Sequence, residues 1–148
     1  MLSRYNQCIY VILILWLIGV ITTAKSAELI VGGIIHHLQP IDGIKTTQLQ
    51  QNIIIKSNDI NVLIGNNSVS KPIIGIGYDV PLGKSDHNFK VGAYIQDSKE
   101  FEKVGVYAPT LMPVIGLELN FYASEDDMVG ISQFISPIIT FTGVSIRF

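Results

Sequence analysis

An all-β fold, an eight-stranded antiparallel up-and-down β-barrel that spans a membrane, is what the sequence predicts, and three observations predict it. Apolar and polar residues alternate with period two in segment after segment, and no helical period is sustained beyond the N-terminal region. In the clearest segments the apolar row carries no charge, while the opposite row holds glycine, asparagine and the charged side chains. The number of such segments is even, as an up-and-down barrel requires. Composition fits this pattern. The 148 residues are 48% hydrophobic and only 15% charged, which excludes disorder, and a net charge of −2 speaks against a nucleic-acid surface. One cysteine and three histidines offer no zinc or disulfide framework, so no metal and no cofactor is expected.

The chain divides into residues 1–27 and 28–148. The first part reads as a secretory signal peptide: a basic start at Arg4, an apolar run from Cys8 to Ile21, then small residues at Ala24, Ser26 and Ala27. That run is shorter than the roughly 20 residues a spanning helix needs. Cleavage is expected after Ser26 or Ala27. It would remove Cys8, Trp16, Arg4 and Lys25, leaving an exported, cysteine-free and more acidic remainder.

The second part supplies the strands in order. Leu29–Leu38 and Gln50–Ser57 carry apolar residues on both faces. In 59–65, Ile60, Val62 and Ile64 oppose Asn61 and Gly65. In 72–80, Ile74, Ile76, Tyr78 and Val80 oppose Gly75, Gly77 and Asp79. In 88–96, Phe89, Val91, Ala93 and Ile95 oppose Lys90, Gly92 and Gln96. In 111–121, Ile115, Leu117, Leu119 and Phe121 oppose Gly116, Glu118 and Asn120. Met128–Ser136 has Gln133 among its apolar residues, and the last strand sets Val144, Ile146 and Phe148 against Gly143, Ser145 and Arg147. Alternation of this kind puts one row on each face of a sheet.

Two architectures bury one such row. A soluble sandwich or lipocalin-like barrel turns the apolar row inward. A membrane barrel turns it toward lipid and keeps the polar and small row inside. Glycines on the inner row favour the second, because a narrow eight-stranded interior has little room. The final strand, ending on Phe148, has the pattern of an outer-membrane assembly signal, which makes the outer membrane the expected location and the assembly machinery an expected partner. With a periplasmic N-terminus, strand parity carries His36 and His37 to the outer rim and brings Asn66, Asn67 and Ser68 there as well. The longer connections 39–49 and 98–110 fall on that side, the tight turn at 57–59 on the other, and His87, in the 81–87 connection, at the opposite end.

A histidine and a serine distant in sequence thus meet at one rim, the minimum for acyl transfer: an imidazole takes the hydroxyl proton and the oxygen attacks a carbonyl. By itself the pattern is equally that of a loop, since serine and asparagine cap turns. The polar run Gln48, Gln50, Gln51 and Asn52 reads as a solvated strand start, and Lys99, Glu100, Glu102 and Lys103 as a solvated loop face. Tyr78, Tyr94, Tyr107 and Tyr122 suit either interface belts or packing.

The stretches NNSVSKPIIGIGY (66–78), NFKVGAYI (88–95), PTLMP (109–113) and TFTGVSIRF (140–148), with GGIIHH (32–37) before them, resemble the lipid A palmitoyltransferase (PagP) family and the small barrels like it in phages and Gram-negative bacteria. That family moves a palmitoyl chain from a phospholipid to lipid A, with the acyl chain inside the barrel. The resemblance implies His37 rather than His36 as the base, being four residues after the Gly-Gly pair, and Ser68 as the nucleophile or a transition-state donor. Asn67 stands where the family has an aspartate, so a carboxylate partner for the imidazole would have to be Asp97 or Glu100. Gly75, Gly77, Gly92, Gly116 and Gly143 would leave room for the chain. Phospholipid and lipid A would be the partners of a monomer. A non-catalytic barrel that binds lipid or modifies the host cell surface is the alternative that Asn67 favours.

Overall fold

The computed structural model describes residues 27–124, 126 and 128–148, so all of the predicted signal segment except Ala27 lies outside the described residues. Nine strands follow: β1 (Ala27–His37), β2 (Thr47–Leu49), β3 (Ile53–Ser57), β4 (Ile60–Asn66), β5 (Pro72–Pro81), β6 (Asn88–Ile95), β7 (Leu111–Phe121), β8 (Val129–Ile135) and β9 (Ile139–Arg147), with one short helix, α1 (Ser98–Glu102), between β6 and β7. Each strand pairs antiparallel with its neighbours, and β1 pairs with β9, which closes the sheet. Because β2 and β3 both lie along β1, they act as one interrupted strand, and the closed barrel has the expected eight.

That interruption corrects the expected strand Gln50–Ser57: pairing begins earlier, at Thr47, and breaks at 50–52. The cause is a bulge in β1. Gly32 (φ 69°) and Gly33 (φ 143°) adopt conformations that L side chains rarely take, and the pairing with β9 shifts between Val31 and Ile34. Across the break, Gly32 N–H donates to Asn52 O and Gln50 N–H donates to Gly33 O, both at 2.9 Å. The Phe141 ring fills the space beside Gly33, where a Cβ would lie 2.0 Å from it.

The outward row is the predicted one. Ile60, Tyr78, Val91 and Ile115 stand opposite one another on successive strands and all are exposed. No helix among the described residues is long and apolar enough to cross a membrane. Both chain ends of the barrel meet at its lower end, where Phe148 N–H donates to Ala27 O at 3.0 Å. The two-residue turn Asn58–Asp59 joins β3 and β4 there, Asn58 taking the left-handed conformation (φ 52°) that such hairpins favour.

At the upper end lie the long connections 38–46 and 96–110, which pack on each other: Ile44, Phe101 and Ala108 are buried together, with Val69 from the β4–β5 connection against them. This small apolar cluster roofs the barrel. The β8–β9 turn (136–138) is short although it lies at the same end, so long connections do not mark every upper crossing. The tyrosines do not form one belt. Tyr78 faces outward, Tyr107 is exposed on the upper connection, Tyr94 lines the interior, and Tyr122 donates to Glu28 Oε1 (2.5 Å) at the lower end.

Candidate active site

The interior has two halves. In the lower half, inward positions carry charge, and the charges pair with one another. Lys56 Nζ lies 3.1 Å from Glu28 Oε2 and 3.0 Å from Asp79 Oδ2, and it also bonds Glu118. Lys90 Nζ lies 2.6 Å from Asp79 Oδ1 and 3.0 Å from Glu118 Oε2. Asn61 Nδ2 donates to Asp79 (2.8 Å) and Asn120 Nδ2 to Glu118 (3.2 Å). Shared hydrogen bonds and opposite charges are what make burial of such groups tolerable. Arg147 lies over the Tyr122 ring at 3.3 Å and pairs with Asp86 at 2.7 Å.

In the upper half, the same inward row is apolar: Ile30, Ile35, Ile54, Leu63, Ile73 and Phe141. This departs from the expected polar and small inner row. These residues surround a cavity of about 320 Å³ that reaches from the charged network to the roof, within the range of small-molecule sites. Gly75, Gly77 and Gly92 line it, although a Cβ there would also meet close neighbours: Tyr94 Cβ at 2.7 Å, Asn61 Oδ1 at 2.6 Å and Ile76 O at 2.5 Å. Gly116 and Gly143 do not line it. A Cβ at Gly116 would meet the Phe134 ring at 2.7 Å, and one at Gly143 would meet Ile30 at 2.9 Å. Those two glycines admit neighbouring side chains instead.

His37 and Ser68 come together at the mouth of this cavity, with His37 Nε2 2.8 Å from Ser68 Oγ. Two local features set the pair. His37 is the last residue of β1, points inward by strand parity, and is 7% exposed; its backbone N–H donates to Thr46 O at 2.8 Å. His36 has the opposite parity and faces outward, its Nδ1 2.7 Å from Thr47 Oγ1. Parity therefore separates the two histidines, and only His37 meets the serine.

Ser68 sits in the turn after β4, and Asn67 holds that turn. Asn67 Oδ1 accepts from Val69 N–H (3.1 Å) and Lys71 N–H (2.9 Å), while its own N–H donates to Lys71 O (2.8 Å). This is the turn chemistry of asparagine. Its Nδ2 lies 3.5 Å from Gln96 Oε1, so the side chain addresses the loop rather than the imidazole. Neither candidate carboxylate reaches His37. Asp97 caps α1 by accepting from Lys99 N–H (3.0 Å), and Glu100 pairs with Lys103 (2.7 Å) and Lys71 (3.8 Å). Among the described residues no carboxylate hydrogen-bonds His37, and no group of three His, Cys, Asp or Glu is placed to hold a metal ion. The arrangement is a serine–histidine pair, with an imidazole nitrogen and a hydroxyl in hydrogen-bonding contact beside an apolar chamber.

Gln50 and Asn52, expected to be solvated, are 5% and 4% exposed and line the cavity. The signal that places them is their parity with Ile54 and Lys56 on one inward row; the polar run around them obscured it. The chain matches no family model and no curated protein.

Proposed function

We propose that the chain is an outer-membrane barrel that transfers a fatty acyl group from a phospholipid to lipid A or another lipid acceptor, in the manner of the family its motifs resemble. The observation that carries the reading is the 2.8 Å contact of His37 Nε2 with Ser68 Oγ at the mouth of an apolar interior cavity. The belt of exposed isoleucine, leucine, valine and tyrosine around the barrel supports a lipid environment, since an aqueous protein rarely leaves so continuous an apolar surface.

With the imidazole proton on Nδ1, Nε2 accepts the Ser68 hydroxyl proton as Oγ attacks the ester carbonyl. The Oγ–C bond forms, the ester C–O bond breaks, and Nε2 returns the proton to the departing lysophospholipid oxygen. An acceptor hydroxyl then reverses these steps: it gives its proton to Nε2, attacks the acyl-serine, and Ser68 leaves with the proton restored. The apolar chamber holds the acyl chain through both steps.

A second reading, a barrel that binds lipid without turning it over, draws on the missing carboxylate beside His37 and on the structural employment of Asn67. Expression in a Gram-negative host, followed by mass spectrometry of lipid A, separates the two. Transfer predicts an added acyl chain that vanishes in Ser68→Ala and in His37→Ala. An unchanged lipid A profile with correctly inserted protein leaves the binding reading standing. Recovery of the folded protein in the soluble periplasmic fraction would overturn both.

A further inference from the structure

The upper chamber is apolar apart from a few groups, and one of these has an atom with nothing to bond. Gln50, 5% exposed, lines the cavity; its Oε1 accepts from Asn52 Nδ2 at 3.2 Å, but its Nε2 has no hydrogen-bond partner. Tyr94, half-buried, lines the same cavity. Folded proteins leave few buried donors unpaired, because the group loses water and gains nothing in return. Asn52, the neighbour with the same parity, is fully employed: its Oδ1 accepts from Asn66 N–H at 2.9 Å. An idle donor in the wall is therefore a local exception.

Its height in the barrel is fixed by the bulge. Gln50 N–H bonds Gly33 O, and Gly33 precedes His37 by four residues on β1. At ~3.3 Å per residue the Gln50 backbone lies ~13 Å below the serine–histidine pair, measured along the strand. An acyl chain with its carbonyl at Ser68 would pass Gln50 partway along its length. A plain methylene there leaves the amide N–H unpaired, whereas an oxygen accepts from it.

On the reading of the cavity as an acyl chamber, we infer that it selects fatty acyl chains bearing an acceptor oxygen, a hydroxyl or a keto group, in mid-chain, and that Gln50 is the residue that reads it. Tyr94, able to donate and accept, offers a second contact to a hydroxyl.

Competition binding tests this. The purified full barrel in detergent is given equal concentrations of hexadecanoate and a hydroxyhexadecanoate with its hydroxyl in mid-chain, and bound species are counted by native mass spectrometry. The hydroxylated chain is expected to be favoured ~10-fold by the unaltered protein, the discrimination typical of one buried hydrogen bond. In Gln50→Leu the preference is expected to collapse to about equal binding, with hexadecanoate still held. Equal binding by the unaltered protein overturns the inference whether or not the variant folds, and leaves the acyl chamber intact. A preference that survives Gln50→Leu overturns the role of Gln50. Failure to bind either chain overturns the acyl chamber together with the inference.

Discussion

The lower and upper halves of the barrel interior obey the same alternation and hold opposite chemistry. Below, inward side chains are lysines and carboxylates that satisfy one another, Lys56 touching three acids and Lys90 two of the same three. Above, inward side chains are isoleucine, leucine and phenylalanine around an unfilled volume, with a serine and a histidine at its mouth. The outward face does not change in this way; it is apolar at both levels on β4 to β7. A barrel selected only for stability would fill its interior, as narrow eight-stranded barrels can. The lower half is crossed by a linked ionic plug, with an open polar pocket of about 420 Å³ between it and the lower rim. The upper half holds an apolar cavity of about 320 Å³ instead, and the serine–histidine pair sits at its mouth.

If the halves have separate tasks, damage to each should be read by a different instrument. The largest effect is expected on turnover. If the chain transfers acyl groups as proposed, Ser68→Ala or His37→Ala should lower that transfer by ~100- to 10,000-fold, as loss of a nucleophile or base does, while the temperature at which the folded species disappears from a gel stays unchanged. Next comes the plug. Lys56→Ala leaves Glu28, Asp79 and Glu118 short of a buried partner and should cost ~3–5 kcal/mol, seen as loss of the folded species at lower temperature or lower urea. Surviving folded protein should keep its upper-chamber activity; parallel loss of stability and chemistry would show that the halves are not independent.

Asn67 gives a smaller, two-sided test. Asn67→Ala leaves the Val69 and Lys71 N–H groups without their acceptor and should cost ~1–3 kcal/mol of loop order, read as reduced turnover and faster proteolysis at 66–71. Asn67→Asp keeps both bonds. Because the side chain addresses the loop, it should not raise turnover; a large increase would mean that the carboxylate can swing to the imidazole. The smallest effect belongs to Glu100. A hydrogen bond from Lys103, aided by the charges of Lys103 and Lys71, holds its carboxyl below the ordinary value of 4.5. A depressed carboxyl contributes fully above that ordinary value and loses its contribution as pH falls below it. The group lies in a half-buried surface ion pair, so Glu100→Gln should change thermal stability at neutral pH only slightly, and its main trace should be in acid.

Much of this architecture is legible in the sequence because alternation is a backbone property. Strand count, the outward face of 59–65, 72–80, 88–96 and 111–121, and the placing of His36, His37 and Asn66–Ser68 at one rim all follow from period two and from counting crossings, whereas the choice of His37 and Ser68 as the pair came from the resemblance. The weaker segments resisted for a physical reason. In β1 and in 50–57, apolar residues occupy both faces: one row meets the surroundings and the other meets the chamber, so Ile30, Ile35 and Ile54 hide the pattern. Gln50 and Asn52 misled in the opposite sense, since polar residues beside a break look solvated until the bulge at Gly32–Gly33 is known.

By itself the sequence determined which way most side chains point and at which end each connection lies, because both depend only on residue parity and chain order. It did not determine what each inward side chain meets. Whether an inward lysine finds an acid, whether Gly116 opens space or admits a ring, and whether Asn67 serves a histidine or a turn depend on strands far apart in the chain. Barrel closure and the stagger of its strands bring those partners together. The tertiary structure alone therefore decided that an ionic network crosses the lower interior and that the upper interior is an apolar chamber.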